Sequence, residues 1–433
     1  MVIKKILNKI KYLIKDGFLH IMLGSTLNKA IAFVSSIVIV RIVSKSNYGL
    51  LTYVDNLYSY VGLFTGLGMS TAIMKCCTTD TDKGSDRKYL AFSLKYGCLV
   101  QLFLSLILVV YTLLMGTAFE GANNLIYLKI MYPCAAFAVT LLQNYLRSQG
   151  ENKKYSYVSV LQTLTILVCS IILAFPLNVY GVVIARYIGL ALAMFLIIVF
   201  TRVILKNSEK QKFERTEISE YLKLSVSIMV ADIFTSIIPL NEIYVVSEVF
   251  KDEAVTATFK VATMFPSQLL FVAGSIIIYL FPKIAKKQNF GEAFDYVKKP
   301  ALLCFGLIAA ITVVGLLANR LLILVIYGEP YLDALSLSNV YWLVYMINAG
   351  IRIVPVQVMA ALGKAKLNAY VSVATAIVHA VVFYFAISNI SLMAGALLTG
   401  VVYFVSSALL WCILIYYKKH SAEVKNENNK DNC

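Results

Sequence analysis

Runs of about twenty residues nearly free of charge recur along the whole chain, and that is the length a helix needs to cross a hydrocarbon layer of about 30 Å. Only helices and closed barrels satisfy their own backbone hydrogen bonds in such a layer. The expected fold class is therefore all-α and integral to a membrane. Composition agrees: 60% of the 433 residues are apolar and 14% are charged, against roughly 45–50% and about 25% in soluble domains.

Hydropathy windows place helices near 18–43, 48–74, 89–115, 124–146, 155–175 and 181–204, then 219–247, 255–282, 300–327, 333–360, 367–387 and 393–417. About twelve spans are expected. The alternate short loops assigned to the cytoplasm hold 28 Lys and Arg, and those on the other side hold three, so positive charge predicts both termini in the cytoplasm. Residues 1–17 read as a basic amphipathic leader, with Ile3, Ile6, Leu7, Ile10, Leu13 and Ile14 opposite Lys4, Lys5, Lys9, Lys11 and Lys15. Such a helix lies on anionic lipid. The net charge of +16 is thus a topology and lipid signal, and no nucleic-acid partner is expected. No cleavable signal peptide is read at the start. Residues 205–217 read as a cytoplasmic linker between lobes 18–204 and 218–417, and the polar tail 418–433 as disordered.

Eight cysteines are scattered without a CxxC pair, so neither a disulfide framework nor a metal site is expected. Adjacent Cys76 and Cys77 read as small apolar residues. Asp80-Thr81-Asp82 spells a DxD triplet, but in a loop of fourteen residues, with no surrounding domain to bind a nucleotide sugar. There is no GxxxxGK[ST] loop, hence no intrinsic ATP hydrolysis, and no nucleophile, base and orienting group together. The chain reads as a non-enzyme with no cofactor.

An internal repeat is present. GENKKYSYVSV from Gly150 and GKAKLNAYVSV from Gly363 place Tyr157 and Tyr370 in one register, 213 positions apart. Two parallel six-helix repeats around a central cavity follow.

A charge at mid-bilayer costs about 2.5–3.5 kcal/mol or more, so those retained tend to mark a pathway. Lys29, Lys129, Arg186, Lys260, Arg320 and Arg352 fall within the spans, against Asp55, Asp232 and Glu242. Lys129 and Arg320 are placed near the outer interface. Polar residues share helix faces: Ser25, Lys29 and Ser36; Tyr48, Asp55, Ser59, Gly62 and Gly66; Ser225, Asp232, Ser236 and Pro239; and Thr256, Lys260, Thr263, Ser267 and Ser275. These stripes can line a wet cavity or form interhelical packing seams. The positive excess suits an anionic substrate. Pro133, Pro239, Pro266 and Pro355 lie inside predicted helices as hinges or tolerated bends, and His379 on an apolar helix reads as a packed histidine rather than a proton relay.

Several segments resemble the oligosaccharide-lipid flippases, the polysaccharide export branch of the superfamily that also holds multidrug extruders. They are Arg41-Ile-Val before Tyr48-Gly49-Leu50, QNYLRSQG from Gln143, Tyr180-Gly181, FKVATMFPSQL from Phe259, LFPKIAK from Leu280, LVIYGEPYLDAL from Leu324 and ALGKAK from Ala361. Two departures stand out: Asn241-Glu242 replaces the acidic pattern late in the seventh helix, and a Gly-x-Tyr element is eroded at Thr256 to Phe259. The resemblance implies movement of a polyprenyl-pyrophosphate-linked oligosaccharide across a bacterial plasma membrane by alternating access. It implies a glycan polymerase and a chain-length regulator as partners. On that reading Lys29, Arg186, Lys260 and Arg352 hold the diphosphate, Ser25, Ser36 and Ser267 wet the sugars, and Asp55, Asp232 or Glu242 couples an ion. The rival readings are a cation-coupled multidrug extruder of the same fold and a non-transport scaffold of an envelope glycan assembly complex.

Overall fold

The protein is described by a computed structural model over residues 18–79, 85–205, 213–287, 290–362 and 364–430. The leader 1–17, the Asp80-Thr81-Asp82 triplet and most of the linker lie outside the described residues. Every regular element among the described residues is helical. The chain forms two compact units, Met1–Ile233 and Phe234–Cys433.

The first unit contains α1 (Phe18–Ile42), α2 (Lys45–Leu63), α3 (Met69–Thr79), α4 (Ser85–Met115), α5 (Ala122–Lys129), α6 (Tyr132–Ser148) and α7 (Asn152–Leu205). Ser44 starts α2 by accepting a hydrogen bond from the Asn47 N–H, the usual way to satisfy an orphan donor at a helix start. The predicted span 48–74 is interrupted between α2 and α3, where Thr65, Gly66, Leu67 and Gly68 all have positive φ. Pro133 occupies the first turn of α6, where its missing N–H costs nothing.

At 54 residues, α7 would be about 80 Å long if straight, more than twice a hydrocarbon core. It is not straight. Asn178 has φ 52° and ψ −133°, just after Pro176. A Cβ on Gly181 would sit 2.0 Å from the Leu173 carbonyl oxygen, and one on Gly189 would meet Ile166 and the Gln162 carbonyl. Residues this far apart in sequence meet only if the chain folds back, so α7 is two antiparallel limbs with their turn at Asn178. Glycine at 181 is what lets the limbs approach.

The element α8 (Arg215–Phe250) begins in the first unit and continues into the second, which also holds α9 (Glu253–Met264), α10 (Leu269–Ala285), α11 (Phe290–Leu322), α12 (Leu335–Ile347), α13 (Ile353–Ala361), α14 (Ala365–Asn389) and α15 (Leu392–Lys430). Pro266 opens a 3-10 turn between α9 and α10, and Pro355 follows a π-turn at Asn348–Arg352. Both prolines therefore sit where helical hydrogen bonding changes.

Among the described residues, nine helices are long and apolar enough to cross a membrane, or ten if Arg215–Phe234 and Ser236–Phe250 are taken as one bent span. The folded-back α7 is one of the nine, whereas 48–74 is not among them: of the two pieces left by the break at 64–68, α2 has 19 residues but is too polar and α3 has only 11. Their outward faces are strongly apolar, with Phe103, Leu114, Phe175, Leu303, Leu317 and Phe404 all exposed. The chain is a multi-pass membrane protein.

The repeat extends to the cores. Helices α6 and α13 end 213 positions apart, at Ser148 and Ala361, and α7 and α14 start 213 apart, at Asn152 and Ala365. Leu141, Tyr145, Leu146 and Ile197 in the first core match Val354, Val358, Met359 and Leu410 in the second at that spacing. Ile73, Cys77 and Leu90 match Leu280, Ile284 and Val297 at a spacing of 207.

Two boundaries differ from the sequence expectation. The first unit extends to Ile233 instead of ending at 204, because Phe213 and Tyr221 pack edge-on against Tyr89 and Phe92. Tyr221 is also bonded to Ser93 at 2.6 Å. The tail expected to be disordered continues α15 as far as Lys430. Residues 418–430 contain no glycine or proline and include alanine, glutamate and lysine, which favour helix.

Candidate functional site

The first unit contains an open cavity of about 370 Å³ lined by charged, aromatic and hydroxyl side chains. Two helical stripes build its walls. Asp55, Tyr58, Ser59 and Gly62 come from α2 at intervals of three and four residues; Lys129, Tyr132, Pro133, Ala136, Phe137 and Thr140 do the same along the end of α5 and the start of α6. This spacing brings side chains to one helix face. The second limb of α7 supplies Arg186.

At the charged end, one carboxylate holds two cations. Lys129 Nζ donates to Asp55 Oδ1 at 2.5 Å and Arg186 Nη1 donates to the same oxygen at 2.6 Å. Lys129 is only 2% exposed, whereas Asp55 keeps 31% and Arg186 19% of their side-chain surface open. The Lys129 ammonium also lies 5.1 Å from the Tyr58 ring centroid and 5.4 Å from that of Tyr132. A desolvated cation over an aromatic face gains about 2 kcal/mol. Lys129 closes α5, where the carbonyl end of the helix dipole favours positive charge. The tyrosines are fixed in turn: Tyr58 OH donates to the Ile126 carbonyl at 2.6 Å, and Tyr132 packs edge-on against Tyr187, whose OH donates to the Leu128 carbonyl at 2.9 Å. Three charges of net +1 therefore sit on rigid supports.

The opposite end is polar and uncharged. Ser59, Thr65, Ser70, Gln101 and Thr140 line it around the break between α2 and α3. With its amide oriented to satisfy both ends, Gln101 accepts from the Gly66 N–H at 2.8 Å and the Thr65 N–H at 3.1 Å, and donates to the Val61 carbonyl at 3.3 Å. This buried side chain replaces helical bonds that the break gives up.

The second unit holds a separate polar cluster. Glu242 Oε1 accepts from Thr399 Oγ1 at 2.7 Å and from Tyr341 OH at 3.0 Å; His379 Nε2 lies 3.0 Å from Thr399 Oγ1 and 3.6 Å from the carboxylate. Glu242, Tyr341, His379 and Thr399 are almost wholly buried. His379 is thus hydrogen-bonded in the core, but it shares its site with a carboxylate. Thr399 occupies the place of Arg186 in the repeat, 213 positions on.

The structure brings Asp55 and Arg186 together, as neither a separate ion site nor a bare cation. Ser25 and Lys29 are exposed on α1 and do not line the cavity, and Ser36 bonds to its own helix at the Phe33 carbonyl. Asn28, adjacent to Lys29, is tied across to Ser159 and Thr163 on α7. Asp232 is exposed. In the second unit Arg352 Nε donates to Ser406 Oγ at 3.1 Å with its guanidinium over the Tyr403 ring. There Lys260 is half-buried, and Ser267 bonds to the Met264 carbonyl. Sequence reading put Lys129 near the outer interface and left it out of the binding set; the stripe from Lys129 to Thr140 was the signal that could have found it.

Comparison with known proteins agrees with this architecture. The family profile described as "Polysaccharide biosynthesis protein" matches residues 14–288. A Shigella flexneri protein described as a "Putative O-antigen transporter" is 27% identical over 119 residues, which is 27% of this chain and 28% of that protein. The match thus spans under a third of that relative. Among solved structures, lipid II flippase MurJ in an inward closed conformation superposes with a TM-score of 0.72 at 14% identity, covering 90% of this chain and 86% of that one. An inward-facing multidrug resistance MATE family transporter of the MOP superfamily gives 0.67 at 13% identity, covering 92% and 95%. These likenesses share the all-helical fold.

Proposed function

The chain belongs to the polysaccharide biosynthesis protein family, and from that premise we propose that it is a flippase for polyprenyl-pyrophosphate-linked oligosaccharide in a bacterial plasma membrane. The observation that carries the proposal is the cavity, where Arg186 and Lys129 converge beside a wall of hydroxyl and amide groups. A diphosphate and a hydrated glycan cannot cross hydrocarbon unaided. The charged end suits the diphosphate, which arginine can hold in bidentate fashion. The polar end suits the first sugar hydroxyls, while the polyprenyl chain stays in lipid. Lys29, Lys260 and Arg352 remain candidates for handing the anion along its route. The topology proposed has both termini in the cytoplasm, and the glycan polymerase and chain-length regulator are the expected neighbours.

A multidrug extruder needs a carboxylate available to an organic cation. The carboxylate lining this cavity already holds two cations, which favours the flippase. For energy coupling we place the exchangeable ion at Glu242, whose carboxylate is buried beside His379, Thr399 and Tyr341.

The test is reconstitution into liposomes with a polyprenyl-pyrophosphate oligosaccharide, following its exposure to an external glycan-modifying enzyme. Wild type is expected to accelerate exchange, with Arg186→Gln slowing it at least tenfold. Exchange no faster than in protein-free liposomes, across several glycans, overturns the proposal.

A further inference from the structure

The arrangement around Asp55 carries a step beyond substrate class, and it rests on the flippase reading above. Both cations contact a single oxygen, Asp55 Oδ1. That oxygen stands where an anionic ligand held by the same two side chains would place one of its own. Asp55 and Arg186 keep part of their surface open to the cavity, while Lys129 is sealed against Tyr58 and Tyr132. An anion entering from the cavity therefore meets the carboxylate first and the ammonium last.

We infer that Asp55 is a displaceable internal counter-anion: it occupies the anion position of the cavity between transport rounds and competes with the substrate diphosphate for Lys129 and Arg186. Two desolvated cations with no counter-charge repel each other and are expensive to keep buried. The carboxylate solves that problem without making the site a trap. A carrier must bind its cargo firmly enough to load it and weakly enough to release it. A built-in competitor achieves this balance, because each step of departure of the diphosphate is matched by the return of Asp55. Asp55 is thus a positioning residue that sets affinity and release, and it makes no bond to the substrate.

The test measures binding and transport separately. Inorganic pyrophosphate is titrated against the purified full chain, by calorimetry and by its effect on the melting temperature, for wild type and Asp55→Asn. The amide is nearly isosteric with the carboxylate and removes one competing charge, so pyrophosphate affinity is expected to rise by about tenfold or more. In the liposome assay the same variant is expected to show a lower KM and a lower kcat together, the signature of cargo held too well. Unchanged or weaker pyrophosphate binding by Asp55→Asn overturns the inference.

If Asp55→Asn is too unstable to isolate, the comparison moves to Lys129→Met and the double variant Asp55→Asn/Lys129→Met. In the single variant Asp55 and Arg186 balance one to one, and pyrophosphate binding should be lost. In the double variant Arg186 is released from its competitor, and binding should return by about tenfold. Equal, poor binding by both shows that Asp55 merely holds the structure together. The two readings fail separately. Tighter pyrophosphate binding by Asp55→Asn without any exchange by wild type discards the flippase and keeps the counter-anion; exchange by wild type without tighter binding does the reverse.

Discussion

Replacing Gly68 by alanine tests whether the broken helix that forms one end of the cavity is held by contact with α8. Gly68 has φ +80°, and a Cβ there would lie 2.0 Å from the carbonyl oxygen of Ser225 and 3.1 Å from Met229 Cβ. A left-handed conformation costs a non-glycine residue about 1–2 kcal/mol, and overpacking of a tight contact costs about 1–3 kcal/mol. The obstacle is backbone. It cannot turn aside like a side chain, because α8 is pinned nearby by Tyr221 bonding to Ser93 and to the Met69 carbonyl. A loss of about 2–5 kcal/mol is therefore expected for Gly68→Ala. The assay is reversible unfolding in detergent, with Gly274→Ala as control. Gly274 lies within α10 with nothing within 4 Å of its added Cβ, so alanine there should stabilise by about 0.5–1 kcal/mol. A Gly68→Ala protein that loses less than about 1 kcal/mol, or no more than the control, refutes the claim that this contact fixes the break.

Within the charge triad, Asp55→Asn leaves Lys129 and Arg186 buried together and should cost about 3–5 kcal/mol. Lys129→Met leaves a balanced pair and should cost distinctly less, so melting curves that reverse this order contradict the geometry. Gln101→Leu removes the amide that bonds Val61, Thr65 and Gly66; the Val61 carbonyl and the Thr65 N–H keep backbone partners, so the loss falls on the Gly66 N–H and should cost about 1–3 kcal/mol, measured by the same unfolding assay. Thr399→Val strips Glu242 and His379 of their shared hydroxyl, with an expected cost of about 1–3 kcal/mol in denaturant titration. If exchange in liposomes is ion-driven, that variant should also change its dependence on the imposed gradient more than its binding of pyrophosphate.

Much of the architecture is legible in the sequence because the membrane is a demanding solvent. A helix must carry enough apolar residues to span it, whichever neighbours it meets. Eight of the twelve expected spans accordingly follow a single helix or a limb of one, while 48–74, 124–146, 255–282 and 333–360 are each interrupted, and the turn at Tyr180-Gly181 lies where the two limbs of α7 part. The Tyr157 and Tyr370 register likewise reached through to matched cores. Asp55 and Arg186 could be named as unusual charges on grounds of cost alone.

What the sequence could not provide was partnership. Asp55 and Arg186 are 131 positions apart and Asp55 and Lys129 are 74 apart, and hydropathy carries no information about which distant charge neutralises which. The reading of Asp55 as an ion site and Arg186 as a bare anion site therefore treated as independent two residues that share one oxygen atom. Glu242 and His379 show the same limit, since their approach depends on Thr399 and Tyr341 from two further helices. The break at 64–68 was hidden as well, because Gln101 on α4 supplies the bonds that make it tolerable. Apolar length is a property of each segment taken alone, so the sequence by itself determined that this chain crosses a membrane many times in two related halves. Charge pairing and the rescue of broken backbone are properties of segments brought together, and only the tertiary structure decided those.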